Sequence, residues 1–245
     1  MNDKLQQIDT LLGELNQYRA NENYRITEAL EIEYTYDSNR IEGNTLTLHE
    51  TDMVVNKGIT IAGKGLKEHL EAINHKEAID FNKDIAQKKE PISERVLLDI
   101  HAIVLHSIDK DNAGKYRRVP VIISGSKHIP PQPYLLQPKM DELFQWYEAN
   151  KDSMHPVVLA AQMHEKLVSV HPFIDGNGRT ARLLMNLILM QHGYPIANIK
   201  GDNETRRRYY ETLEEASSGD NSAFVEFIED VVIQSLTYYL KIIRG

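Results

Sequence analysis

His171 to Arg182 reads HPFIDGNGRTAR, and both the fold and the chemistry of this 245-residue chain turn on that run. Gly176, Asn177 and Gly178 form a tight turn whose missing side chains let backbone N–H groups point at an anion. Thr180 onward continues as a helix whose positive end faces the same point, so phosphate is the natural occupant. Arg179 and Arg182 stand three apart on that helix, where two guanidinium forks on one face hold successive phosphates. Asp175, just before the turn, is an oxygen ligand placed for a Mg²⁺ ion shared with those phosphates. His171, with an ordinary pKa near about 6.5, is mostly neutral at pH 7 and serves as a general base toward a hydroxyl group. A glycine turn alone is a weak signal, and the run lacks the lysine and spacing of a P-loop. Taken together, the residues predict an enzyme acting on a nucleotide.

The neighbouring residues set the architecture. Leu183, Leu184, Met185, Leu187, Ile188, Leu189 and Met190 are apolar nearly all round, the pattern of a buried central helix, and His192, Gly193 and Pro195 stop it. Upstream, Pro156 starts the helix that delivers the loop, with Val157, Val158, Ala161, Leu167 and Val168 apolar and His164 at a core position. Pro138 starts another, with Met140, Leu143, Phe144 and Tyr147 inward. Ser93 caps an amphipathic helix through Val96, Leu97, Ile100, Val104 and Leu105, on which His101 and His106 read as surface or core-edge imidazoles. A longer helix runs from Leu66 to Ala86, behind a short one opened by the capping box of Thr47 and Glu50. Leu5, Ile8, Leu12 and Leu15 predict a first amphipathic helix, and Phe224 to Ile243 follows helical spacing to the end. From Thr27 as N-cap, a second helix runs to about Glu42, where Gly43 and Asn44 end it. Ser38 and Glu42 lie four apart on its face; by themselves they read as a solvated helix end with a glycine cap. Only Gly114 to Pro133 breaks the pattern: Val119, Val121 and Ile123 alternate, and a turn at SGSK before His128 predicts a β-hairpin.

Composition bounds the rest. With 41% hydrophobic and 26% charged residues the chain is ordinary globular protein, expected as one compact unit. A net charge of −8 argues against nucleic acid or a membrane surface as the main partner. The absence of cysteine excludes disulfides and thiol catalysis. No apolar signal core stands at the N-terminus, and a cytoplasmic location is expected.

His171, Pro172, Phe173, Asp175, Gly176, Asn177, Gly178, Arg179 and Arg182 together resemble the signature of the Fic family, HPFx(D/E)GNGRxxR. SNRIEG, from Ser38 to Gly43, resembles the family's inhibitory motif, (S/T)xxxE(G/N), placed ahead of the core. GKYRRVPVIISGSKHIPP resembles the family's flap, and EAINHKEA a segment found ahead of the core. The resemblance implies an all-α Fic fold, a helical bundle around a buried central helix with a β-hairpin flap. It divides the chain into an N-terminal helical region (1–90), a catalytic core with flap (91–215) and a C-terminal packing helix (216–245). It implies a protein adenylyltransferase, or AMPylator, moving AMP from ATP to a Ser, Thr or Tyr hydroxyl. Arg182 then aligns the γ-phosphate, Tyr209 and Tyr210 lie by the adenine, and Gly125, Ser126, Lys127 and His128 of the flap touch the nucleotide. A target protein docks at the flap. Glu42 is expected to pair with Arg182 and restrain the enzyme, with Ser38 anchoring its helix; two charges about 4 Å apart at an effective dielectric of 20 interact by roughly 4 kcal/mol. Self-AMPylation and self-association that locks the inhibitory helix are further expectations. Three other readings share the site: removal of AMP from a modified protein, with Glu42 positioning water; transfer of phosphate or phosphocholine as in another branch of the family, against which the intact GNGR turn speaks; and a nucleotide-sensing module without transfer.

Overall fold

A computed structural model describes residues 3–21 and 24–244. In chain order its helices are α1 (Asp3–Tyr18), α2 (Tyr24–Ile41), α3 (Leu48–Lys57), α4 (Leu66–Lys88), α5 (Glu94–Leu105), α6 (Leu136–Asn150), α7 (Pro156–Val170), α8 (Asn177–Gln191), α9 (Asn203–Ser217) and α10 (Ser222–Arg244). Local chemistry explains most boundaries. The Thr47 and Glu50 capping box opens α3, and Gly58 closes it at φ 62°. Ser93 accepts the Val96 N–H at the start of α5, and the Asp202 side chain accepts the N–H groups of Glu204 and Thr205 at the start of α9. Pro156 occupies the first turn of α7, where a missing N–H costs nothing. Two helix starts differ from expectation: α2 is already helical at Tyr24, so Thr27 lies inside it, and α6 begins at Leu136, so Pro138 lies within its first turn.

α8 is the central element. Leu183, Leu184, Met185, Leu187, Ile188 and Leu189 are each fully buried, and at about 1.5–3 kcal/mol per side chain they contribute on the order of 10 kcal/mol before chain entropy. α7, α4, α5 and the end of α2 pack around it; α10 lies across α7 and α9, and α1 lies along α10. One apolar cluster accordingly runs from Leu5 to Ile243, with a smaller one of Leu46, Val54 and Ala72 beneath α3. Asn186, polar in the middle of this helix, is satisfied: its amide bonds Arg182 O and Ala197 O, and its carbonyl accepts the Ala197 N–H at 2.7 Å. It ties the connector leading to α9 onto the central helix. Among the described residues no helix is long and apolar enough to cross a membrane.

The predicted hairpin takes another form. Among the described residues there is no strand, and 115–132 is an extended arm with one tight turn, Ser126 N to Ile123 O at 3.1 Å. Prolines 120, 130 and 131 remove N–H donors that a strand ladder needs. Arg117 holds the arm instead.

Candidate functional site

The loop between α7 and α8 is built by three local devices. His171 turns left-handed at φ 48° while its N–H still bonds Leu167 O at 3.0 Å, so α7 ends on a strained residue at the lip of the site. Asn177 folds its amide back into the loop, donating to Phe173 O and accepting from Phe173 N at 2.9 Å each. Gly176, at φ 78°, then starts α8. The first helical bond of α8 is Thr180 N to Gly176 O, so the N–H groups of Asn177, Gly178 and Arg179 precede it, the arrangement that favours an anion. Asn177 therefore serves the cradle through its backbone, its side chain being spent on the loop.

Arg182 is 1% exposed and fully engaged. Its Nη2 donates to Glu42 Oε1 at 2.7 Å and to Ser38 O at 2.9 Å, its Nε to Ser38 Oγ at 3.0 Å, and its Nη1 to Tyr209 OH at 3.3 Å. The Glu42 carboxylate rests against the glycine turn, since a Cβ on Gly178 would lie 2.3 Å from Glu42 Oε1. An anion of the chain itself thus sits on the cradle. Arg179, 2% exposed, faces Glu71 Oε1 at 3.3 Å and Asp175 Oδ1 at 3.4 Å. Burial alone would raise the Asp175 carboxyl, but Arg179 and Lys67 hold it below its usual range, and Lys67 Nζ lies 3.3 Å from it. Burial lowers the His171 imidazole, Arg117 acts in the same sense, and the Val168 carbonyl and Glu42 oppose them. The net shift is downward, so His171 is neutral and able to accept a proton at pH 7.

The aromatic pair divides. Tyr209 is 1% exposed and lies beneath Arg182, its hydroxyl also 3.1 Å from His164 Nε2; burial pushes its pKa up and that of His164 down to about 3. The phenol therefore donates to a neutral imidazole and accepts from Arg182. Of the two rings, Tyr209 is buried beneath Arg182 and Tyr210 is 43% exposed. Tyr210 OH donates to Ile41 O at 3.2 Å. The arm's turn docks on α9 and the end of α7: Ser126 Oγ donates to Glu214, Lys127 N donates to Glu214 Oε1 at 2.9 Å, and His128 Nε2 lies 2.7 Å from Ser169 O. Gly125, at φ 81°, makes that turn.

Two supporting residues escaped the sequence reading. His101 is fully buried, stacked on Phe173 at 3.6 Å, with Nδ1 accepting Gly114 N–H and Nε2 donating to Asp175 O, each at 3.0 Å. Arg117, 3% exposed, spans the loop and both ends of the arm, donating to His171 O, Val119 O and Pro131 O. Neither has a periodic signature, and the partners that join them to the loop, Asp175 O and His171 O, lie 74 and 54 residues away.

The Fic/DOC family profile matches residues 91–189. A protein adenylyltransferase Fic from Nematostella vectensis is 39% identical over 210 residues, covering 85% of this chain and 48% of the relative. The chain thus spans about half the length of the curated relatives it matches. Among solved structures, Fic-1 from C. elegans is 31% identical with a TM-score of 0.87, over 98% of this chain and 72% of that one. A Fic domain containing signaling protein from Bacteroides thetaiotaomicron is 29% identical with a TM-score of 0.88, over 99% and 97%.

Proposed function

The chain belongs to the Fic/DOC family, and on that premise we propose that it is a protein adenylyltransferase, moving AMP from ATP to a Ser, Thr or Tyr hydroxyl of a protein. The observation that carries this reading is the cradle of α8 with a neutral His171 at its lip. His171 takes the hydroxyl proton, the oxygen attacks the α-phosphorus, and the bond to pyrophosphate breaks. The N–H groups of the Gly176–Arg179 turn and the Arg179 guanidinium stabilise charge on the transferring phosphoryl. Arg182 aligns the γ-phosphate, Tyr210 offers its ring to the adenine, and the 125–128 turn closes over the nucleotide.

Asp175 fits a Mg²⁺ role: its carboxylate is 44% exposed at the cradle's edge, and one carboxylate with phosphate oxygens and water is an ordinary Mg²⁺ ligand set. When bound, the ion neutralises phosphate charge. Among the described residues no group of three or more His, Cys, Asp or Glu offers an all-protein cage.

Glu42 restrains the enzyme in this reading. With Arg182 held by Glu42, a triphosphate must either displace the carboxylate or bind with its tail misplaced, and Ser38 fixes the helix that brings Glu42 there. The arm presents Val119, Ile122 and Ile129 to solvent, and a target protein docks along it, its backbone supplying the strand partner the arm lacks. In the test, Glu42→Gly enzyme incubated with ATP labelled at the α-phosphate incorporates label into protein, while γ-labelled ATP gives none. His171→Ala in that background abolishes incorporation and retains ATP binding. Label from the γ-position, or persistent labelling without His171, overturns the assignment. Tight ATP binding with no transfer favours the sensing module, and release of AMP from labelled protein by wild type favours hydrolytic removal of AMP with Glu42 positioning the water.

A further inference from the structure

Asp37 is a buried carboxylate, 5% exposed, that the transfer chemistry does not use. It lies on α2, one residue before Ser38 and five before Glu42, the residue that follows the helix. Three donors from the connector between α8 and α9 converge on it: Gly201 N–H to Oδ1 at 2.9 Å, Asn198 Nδ2 to Oδ2 at 2.7 Å and Lys200 Nζ to Oδ2 at 3.2 Å. The approach is close, because a Cβ on Gly201 would lie 2.9 Å from both Asp37 O and Arg40 Cβ. The connector is itself anchored to the central helix by Asn186, and Tyr210 of α9 holds Ile41 O. The end of α2 that bears Glu42 is thus fastened at two points by α9 and its lead-in. On the other side of this clasp Asn198 and Lys200 line a cavity of about 300 Å³ shared with Leu30, Glu33, Ser235 and Tyr238, crossed by the bonds of Lys200 Nζ to Glu33 Oε2 at 3.2 Å and of Asn198 N–H to Ser235 Oγ at 3.1 Å. A contact backed by open space loosens at less cost than one inside a packed core.

We propose that Asp37 is the positioning residue of the restraint: the connector's grip on its carboxylate sets where Glu42 meets Arg182. Whatever opens that grip frees Arg182 for the γ-phosphate. This rests on the reading of Glu42 as the restraining residue, and the test separates the two.

Four proteins are compared: wild type, Asp37→Asn, Glu42→Gly and the double variant. Each is assayed for self-labelling from α-labelled ATP and for hydrogen exchange at the amides of 38–43. The Asn side chain still accepts from Gly201 but sets an amide N–H₂ or a neutral oxygen against Asn198 and Lys200. Asp37→Asn then raises labelling about tenfold, the scale of a lost charged hydrogen bond, and speeds exchange in 38–43. In the Glu42→Gly background it changes labelling by less than about twofold, which a general loosening of the fold would not produce. Asn198→Ala, which opens the same grip from the cavity side, raises labelling too and decides the matter if Asp37→Asn does not fold. An activated Glu42→Gly beside variants at Asp37 and Asn198 that label like wild type overturns the clasp alone. A Glu42→Gly enzyme no more active than wild type overturns the restraint, and the clasp with it.

Discussion

His101 shows how much of the site depends on a residue that touches no reactant. Burial lowers its pKa to about 4, so the ring is neutral and its two nitrogens divide the work, one accepting from Gly114 and one donating to Asp175. His101→Phe keeps the stack on Phe173 and loses both bonds, leaving a buried N–H and carbonyl unpaired. We expect it to cost about 1–3 kcal/mol in denaturant unfolding and to weaken ATP binding to Glu42→Gly enzyme about tenfold by calorimetry; unchanged affinity would show that the loop does not need this support. The sequence places His101 correctly on its helix, but a histidine on an amphipathic face looks the same whether it meets water or a carbonyl 74 residues away. The residues of the cradle were legible because their chemistry is local: glycines, a proton acceptor and two guanidinium groups follow one another within a dozen positions.

Helices were legible for a similar reason, since caps, prolines and apolar stripes act within a few residues of where they stand. The arm was not. Alternation of Val119, Val121 and Ile123 predicts a strand, but a ladder needs a partner strand, none exists among the described residues, and Ile122 and Ile129 are 91% and 79% exposed. A buried guanidinium bonded to three carbonyls ties the two ends of the arm together, and Glu214 and Ser169 hold its turn. Lysine, a point charge with one nitrogen, cannot span the three carbonyls. Arg117→Lys should therefore lower AMP transfer by Glu42→Gly enzyme at least tenfold and open the arm to limited proteolysis between 115 and 132. Wild-type rates with an intact arm would locate the ordering force elsewhere.

Across the whole molecule, the central helix is surrounded by neutral imidazoles. Burial holds His75 well below its usual value, His101 at about 4 and His164 at about 3. Each is depressed below the unfolded value near about 6.5, so the unfolded chain binds the extra protons and stability is lost as pH falls through that window. At about 1.4 kcal/mol per proton per pH unit, three such groups remove roughly 4 kcal/mol per unit below pH 6, a large share of an ordinary domain's stability. The melting temperature should drop steeply between pH 6 and 5, with uptake of about three protons on unfolding; a flat profile would show these histidines to be solvated. Burial alone would disfavour the charge on Arg182, but Tyr209 and Glu42 more than offset it, and its attraction for an anion is met by Glu42, the place that in the proposed function a nucleotide takes. The most direct measurement of that claim is the intact mass of purified protein after incubation with ATP and Mg²⁺. Glu42→Gly should gain the mass of AMP while wild type gains little and Glu42→Gly/His171→Ala gains none; equal gain in wild type and Glu42→Gly, or gain without His171, would contradict it.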